Sequence, residues 1–163
     1  MPETAARPAP RPTVLVVEDE ALVAMLVEDV LAEAGYGSVL SSDGDAASGA
    51  GDARADAATA AAAVVDLRLA GGLDGREVVR DLRARRPALP VVVVTGFHPQ
   101  SPQADLRGLG GPTLRLCKPF DCDDLAGGVS AVLDARPRPR RRRAAGARTA
   151  RSGPRRRAAE ALR

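Results

Sequence analysis

Hydrophobic positions in this chain come in short unbroken runs rather than in alternation. Thr13 to Val17, Leu89 to Val94 and the segment from Ala61 to Asp66 are continuously apolar until each stops at an acidic or hydroxylic side chain. Unbroken runs of this length predict strands buried on both faces, as in a parallel sheet covered by helices. Between them the period changes to helical. Over Ala21 to Ala34, Leu22, Val23, Leu26, Val27, Val30, Leu31 and Ala34 share one side, and Glu28, Asp29 and Glu33 take the other. Gly35 closes that helix. Ser38 to Ser42 predicts a short second strand.

Asp45 to Ala60, whose apolar residues are nearly all Ala, predicts only a weak helix interrupted by Gly49 and Gly51. Ala60 to Ala63 prefer helix by intrinsic propensity, and the strand assignment there rests on Val64, Val65 and the surrounding rhythm. Asp74, with Glu77 three residues on, predicts a capped helix start. Val78, Val79 and Leu82 form its inward stripe before Arg85, Arg86 and Pro87 end it. Pro99, Pro102, Gly108 and Gly110 leave a short, marginal fourth helix at most in residues 98–110. Thr113 to Cys117 predicts the last strand. Asp121 starts a final helix with Leu125, Val129, Val132 and Leu133 inward, weakened by Gly127 and Gly128. Five strands alternating with helices predict an α/β fold with a doubly wound, five-stranded parallel sheet and right-handed crossovers, in the flavodoxin-like order 2-1-3-4-5.

Charge divides the chain. The net +3 of the 163 residues is the sum of −8 over residues 1–134 and +11 over 135–163, where 12 Arg face one Glu. The basic excess therefore says nothing about the folded part. The expected organisation is a disordered Pro-rich arm at 1–12, one folded domain at 13–134, and a disordered Arg-rich tail at 135–163. With only Tyr36, Phe97 and Phe120 aromatic, the core must be built from Val, Leu and Ala. Cys117 and Cys122 do not suit a disulfide framework and are expected as reduced thiols. No signal-peptide pattern opens the chain, and no segment approaches the ~20 apolar residues of a membrane span. The expected location is the cytoplasm.

In an open α/β sheet the chemistry sits at the strands' C-terminal ends. The first strand delivers Glu18, Asp19 and Glu20 there, the third Asp66, the fourth Thr95 and the fifth Lys118-Pro119-Phe120. In this order and at these places they resemble the receiver domain of two-component response regulators, over roughly Thr13 to Leu133. The loop Leu69 to Gly75 is most similar to receivers of hybrid kinases and short stand-alone regulators. Three carboxylates at one mouth repel unless a cation joins them, and Mg²⁺ suits oxygen ligands. The resemblance implies Asp66 as phosphoacceptor, with Asp19 and Asp66 as direct Mg²⁺ ligands. Glu18 would act through water, and the backbone carbonyl of Arg68 would supply a further oxygen. It implies that Lys118 pairs with phosphoryl oxygens and that the Thr95 hydroxyl turns toward another.

In the family, that turn of the Thr is coupled to an aromatic residue three positions before the Lys; here that switch position is Arg115, and an Arg cannot enter an apolar pocket unpartnered. Phe97 and Arg68 stand at positions that govern water access in relatives. The resemblance implies a sensor histidine kinase or phosphotransfer protein as phosphoryl source and an unidentified downstream protein, and it leaves a homodimer open. No catalytic or DNA-binding output domain fits in the last 29 residues, so a stand-alone switch rather than an enzyme is expected. A haloacid-dehalogenase-like phosphatase would need an Asp at Arg68. A degenerate receiver whose basic tail binds nucleic acid or another polyanion is the alternative. His98 is expected as a solvated loop residue, and Asp74 with Gly75 as a turn and cap.

Overall fold

The computed structural model describes residues 10–41 and 58–136. Most of the arm, most of the weak Ala-rich helix and the tail beyond residue 136 lie outside the described residues. Five parallel strands form one sheet: β1 (Thr13–Val17), β2 (Gly37–Ser41), β3 (Ala62–Asp66), β4 (Val91–Thr95) and β5 (Thr113–Cys117). Their order is β2-β1-β3-β4-β5, as the runs of apolar residues predict. Every residue of β3 and β4 is buried, so the central strands carry no polar side chain before their C-terminal ends.

Alternation along the strands splits the core in two. On one face Val14, Val16, Val64, Val92 and Val94 meet α1 (Ala21–Glu33) through Val27, Val30 and Leu31, and the last helix through Leu125, Val129 and Val132. On the other, Leu15, Val17, Ala63, Val65, Val91 and Val93 meet α2 (Gly75–Arg85) through Val78, Val79 and Leu82. The last helix, α3 (Cys122–Asp134), is capped by the Asp121 carboxylate, which accepts from the Asp124 N–H. Gly128 has a packing role there: a Cβ on it would lie 3.3 Å from Leu114 Cδ2, so the bare backbone lets α3 settle on β5.

One expectation fails. Leu22 and Leu26 do not face inward; they are 76% and 42% exposed, and Met25 beside them is 59% exposed. The apolar arc of α1 is wider than the strip that can touch the sheet, and Ala24, Val27, Val30 and Leu31 fill that strip. Residues 98–110, expected to hold a short, marginal helix at most, form a single 3₁₀ turn, Pro102–Ala104. Two prolines remove N–H donors, and Gly108 and Gly110 stand at positive φ.

A segment with only one 3₁₀ turn leaves several carbonyls with spare acceptor capacity, and guanidinium groups use it. Arg76 on α2 donates to Pro102 O at 3.0 Å, and Arg115 on β5 donates to Ala104 O. Arg83, buried on α2, donates to Leu109 O at 3.1 Å, Pro112 O at 2.6 Å, Leu89 O and Gly110 O, and to the Thr113 hydroxyl at 2.8 Å. Burial pulls the Arg83 guanidinium below its usual range. The carbonyl dipoles around it partly replace lost water.

Candidate phosphoacceptor site

Asp66 ends β3 paired in register with Val94 of β4, one residue past the end of the β1 ladder at Val65, which fixes its backbone. Only 6% of it is exposed. One carboxylate oxygen accepts from the Arg68 N–H at 2.9 Å and the other from Lys118 Nζ at 2.7 Å. Lys118 also reaches the Glu18 carboxylate at 3.1 Å, so one ammonium bridges the ends of β1 and β3 from the end of β5. Burial lowers the Lys118 pKa, and the two carboxylates more than reverse that, leaving it above the ordinary lysine value.

Glu18 is nearly buried, 4% exposed. Burial pushes its carboxyl above the ordinary range, against the opposing pull of the Glu20 N–H and of Lys118. Its other oxygen accepts from that N–H at 3.0 Å, which tethers it at the entry to α1. Asp19 is exposed beside it. Glu18, Asp19 and Asp66 each offer a carboxylate oxygen, and these oxygens lie within 4.8 Å of one another. An all-oxygen set with one exposed and two nearly buried carboxylates fits a hard divalent cation that keeps part of its water.

The pocket in front of Asp66 has a volume of about 120 Å³ and is lined by Asp66, Arg68, Gly96, Phe97 and Lys118. Thr95 is adjacent in sequence but does not line it. Its side chain is fully buried, and its hydroxyl oxygen accepts from the Phe97 N–H at 3.0 Å. The carbonyl of Thr95 accepts from the Lys118 N–H at 2.8 Å and so sets the spacing of the two loops. Of the predicted residues, Glu18, Asp19, Asp66 and Lys118 thus come together. Arg68 has its backbone at the site and an exposed side chain, and Arg115 lies apart, bonded to Ala104 O.

Gly75 is the residue whose importance the sequence did not reveal. Its N–H donates to Leu67 O at 2.9 Å, and a Cβ on it would stand 1.9 Å from the Asp66 carbonyl oxygen. Helix α2 therefore starts in direct backbone contact with the strand end that carries Asp66. Asp74 caps that helix as expected, but by accepting from the Arg76 N–H rather than that of Glu77. The Arg76 guanidinium holds its carboxyl below the usual carboxylate range. Cys117 and Cys122 are free and exposed, and His98 is an exposed loop residue.

A five-stranded 2-1-3-4-5 parallel sheet with acids at the ends of β1 and β3 and a lysine just past β5 has the architecture of receiver-type signalling domains, with its carboxylates clustered as in a phosphoacceptor site. The sequence profile of the response regulator receiver domain matches residues 14–129, and the chain belongs to that family. A receiver protein of Anaeromyxobacter is 43% identical over 70 residues, which are 43% of this chain and 26% of that protein. The photosynthetic apparatus regulatory protein RegA of Rhodobacter capsulatus is 40% identical over 77 residues, 47% of this chain and 41% of RegA. The chain thus matches less than half the length of either relative.

Among solved structures, a Sinorhizobium medicae receiver protein superposes with a TM-score of 0.62 at 28% identity, covering 78% of this chain and 98% of that one. The receiver domain of a Pseudomonas aeruginosa sensor histidine kinase, solved with magnesium in its active-site cleft, gives 0.63 at 25% identity, over 76% and 98%. No helix among the described residues is long and apolar enough to cross a membrane.

Proposed function

We propose that this chain is the phosphoacceptor switch of a two-component phosphorelay in the cytoplasm, with residues 13–134 as the acceptor domain and Asp66 as the acceptor. The observation that carries this reading is the Asp66 carboxylate at a pocket mouth, 2.7 Å from Lys118 Nζ, with oxygens of Glu18 and Asp19 within 4.8 Å. The phosphoryl source is a phosphohistidine of a sensor kinase or phosphotransfer protein, or a small-molecule donor. A carboxylate oxygen of Asp66 forms the new P–O bond as the P–N bond of the phosphohistidine breaks, and the departing imidazole nitrogen takes a proton.

The protein's task in such a transfer is positioning and charge neutralisation. The Arg68 N–H orients the Asp66 carboxylate. Lys118, already between Asp66 and Glu18, turns its ammonium to the incoming phosphoryl oxygens. Glu18, Asp19, Asp66 and the Arg68 carbonyl are the residues that would hold Mg²⁺, which supplies charge neutralisation when bound.

Docking of the donor is supported by the apolar face that α1 turns outward. Leu22, Met25 and Leu26 adjoin a largely apolar pocket formed by Val23, Leu26, Pro119 and Phe120, with Lys118 at its edge. A partner seated there stands next to the acceptor. Output then passes through protein–protein contact.

Intact mass after incubation with acetyl phosphate or phosphoramidate tests the reading. One added phosphoryl group that requires Mg²⁺ and is lost in Asp66→Asn is expected; equal labelling of that variant would refute the assignment. Lys118→Ala should leave Mg²⁺ binding largely intact and impair the response to phosphate. A second reading, polyanion binding by residues 135–163, is favoured by the +11 charge of that segment alone. It predicts steeply salt-dependent nucleic-acid binding that disappears when the segment is deleted.

A further inference from the structure

We propose that Arg115 is a polar latch that couples the state of Asp66 to the segment of residues 96–107. This rests on the phosphoacceptor reading of Asp66 given above. Arg115 sits mid-strand in β5, paired in register with Val93 and half-buried. It forms no ion pair with a carboxylate among the described residues. Its guanidinium holds the carbonyl of Ala104, a residue with no exposed surface at the end of the 3₁₀ turn. Its Nε is enclosed and has no hydrogen-bond partner.

The segment so held begins at the acceptor pocket. Gly96 and Phe97 line that pocket, and the Phe97 N–H is anchored by the Thr95 hydroxyl oxygen at 3.0 Å. Two arginines hold its middle. Arg76 takes Pro102 O while also paired with Asp74 at 2.6 Å, so its charge is compensated. Arg115 takes Ala104 O with its charge uncompensated and one N–H unmade.

Of the two clasps, that of Arg115 is the weaker, because an enclosed donor without an acceptor disfavours the arrangement that encloses it. A Thr95 hydroxyl that turns to a phosphoryl oxygen releases the Phe97 N–H. The segment then loses its anchor at the pocket end, and the Arg115–Ala104 bond opens in preference to the Arg76 clasp. The open state satisfies the Arg115 Nε with water in the cleft lined by Gln100, Ser101, Asp105 and Arg107. Arg115 reports through a hydrogen bond made or released.

Hydrogen exchange of the full chain, read by mass spectrometry with and without beryllium fluoride and Mg²⁺, tests the latch in wild type, Arg115→Ala and Arg115→Lys. In the wild type, amides of residues 97–107 should exchange about tenfold faster in the adduct, the factor a charge-assisted hydrogen bond supplies. In Arg115→Ala they should already exchange at the faster rate without the adduct and respond little to it. Arg115→Lys, which keeps the charge and a donor, should fall between. Amides of β3 and β4 serve as the folding control and should not change.

An adduct that forms without altering exchange in 97–107 overturns the latch and leaves the phosphoacceptor reading standing. Wild-type exchange retained in the adduct-free Arg115→Ala variant overturns it too. No adduct in the wild type refutes the phosphoacceptor reading, and the coupling with it.

Discussion

Replacing Gly75 by alanine adds one methyl group at the most crowded backbone contact near Asp66. The new Cβ would stand 1.9 Å from the Asp66 carbonyl oxygen and 2.8 Å from both the Asp66 carbonyl carbon and Leu67 Cα. All three are backbone atoms of the β3 exit, so no side chain can swing aside. The start of α2 must therefore separate from that strand end by about 1 Å, which also stretches the hydrogen bond from Gly75 N–H to Leu67 O. Overpacking of this kind costs about 1–3 kcal/mol. The reduced freedom of the unfolded chain offsets about 0.4–1 kcal/mol of it.

A net loss of about 1–2 kcal/mol should lower the melting temperature by roughly 4–10 °C in a domain of this size. Because the displaced backbone carries Asp66, labelling by acetyl phosphate should slow by between about tenfold and 10²-fold at a temperature where the variant is folded. Gly127→Ala is the internal control. Its Cβ would meet nothing within 4 Å, so the same exchange inside α3 should stabilise by about 1 kcal/mol. Thermal denaturation by circular dichroism and intact-mass labelling rates read both effects. A Gly75→Ala protein that melts and labels like the wild type would refute the reasoning.

Arg83→Met keeps the aliphatic stem but strips the carbonyls of Leu89 and Leu109 of their side-chain donor and leaves those of Gly110 and Pro112 with only the Thr113 hydroxyl and the Val91 N–H; a loss of about 3 kcal/mol by urea denaturation is expected. Asp74→Asn keeps the helix cap while removing the ion pair with Arg76. The Asp74 pKa is depressed in the folded chain, so its contribution is complete above the ordinary carboxylate value and fades as pH falls through the lower folded value. The stability gap between wild type and Asp74→Asn, about 0.5–1 kcal/mol at pH 7, should therefore close in acid. Leu22→Ser with Met25→Ser should change stability by less than about 0.5 kcal/mol and leave acetyl phosphate labelling intact. Transfer from a kinase phosphohistidine, followed by loss of label from the donor, should slow.

Much of the site was legible in the sequence because strand ends are legible. An unbroken run of Val that stops at Asp66 or Thr95 marks a buried strand and its exit, and in a parallel sheet all exits share one edge. Glu18, Asp19, Asp66 and Lys118 could therefore be brought together before any coordinates, and the order 2-1-3-4-5 followed from the alternation of strands with helices. Local chemistry also fixed the capping roles of Asp74 and Asp121.

Other features depend on distances between elements remote in sequence, and only the tertiary structure decided them. The periodicity of α1 marks Leu22, Leu26, Val27 and Leu31 alike as apolar, and the width of the sheet beneath decides that Leu22 and Leu26 stay outside. The closeness of Gly75 to the Asp66 carbonyl depends on how α2 docks on β3, which no local pattern encodes. The prolines and glycines of 98–110 announce a poor helix. That Arg76, Arg83 and Arg115 would take its carbonyls depends on elements up to 27 residues away in sequence, as the bond from Arg83 to Gly110 illustrates. Composition places arginines in a chain; packing against an unpaired backbone determines which of them become structural.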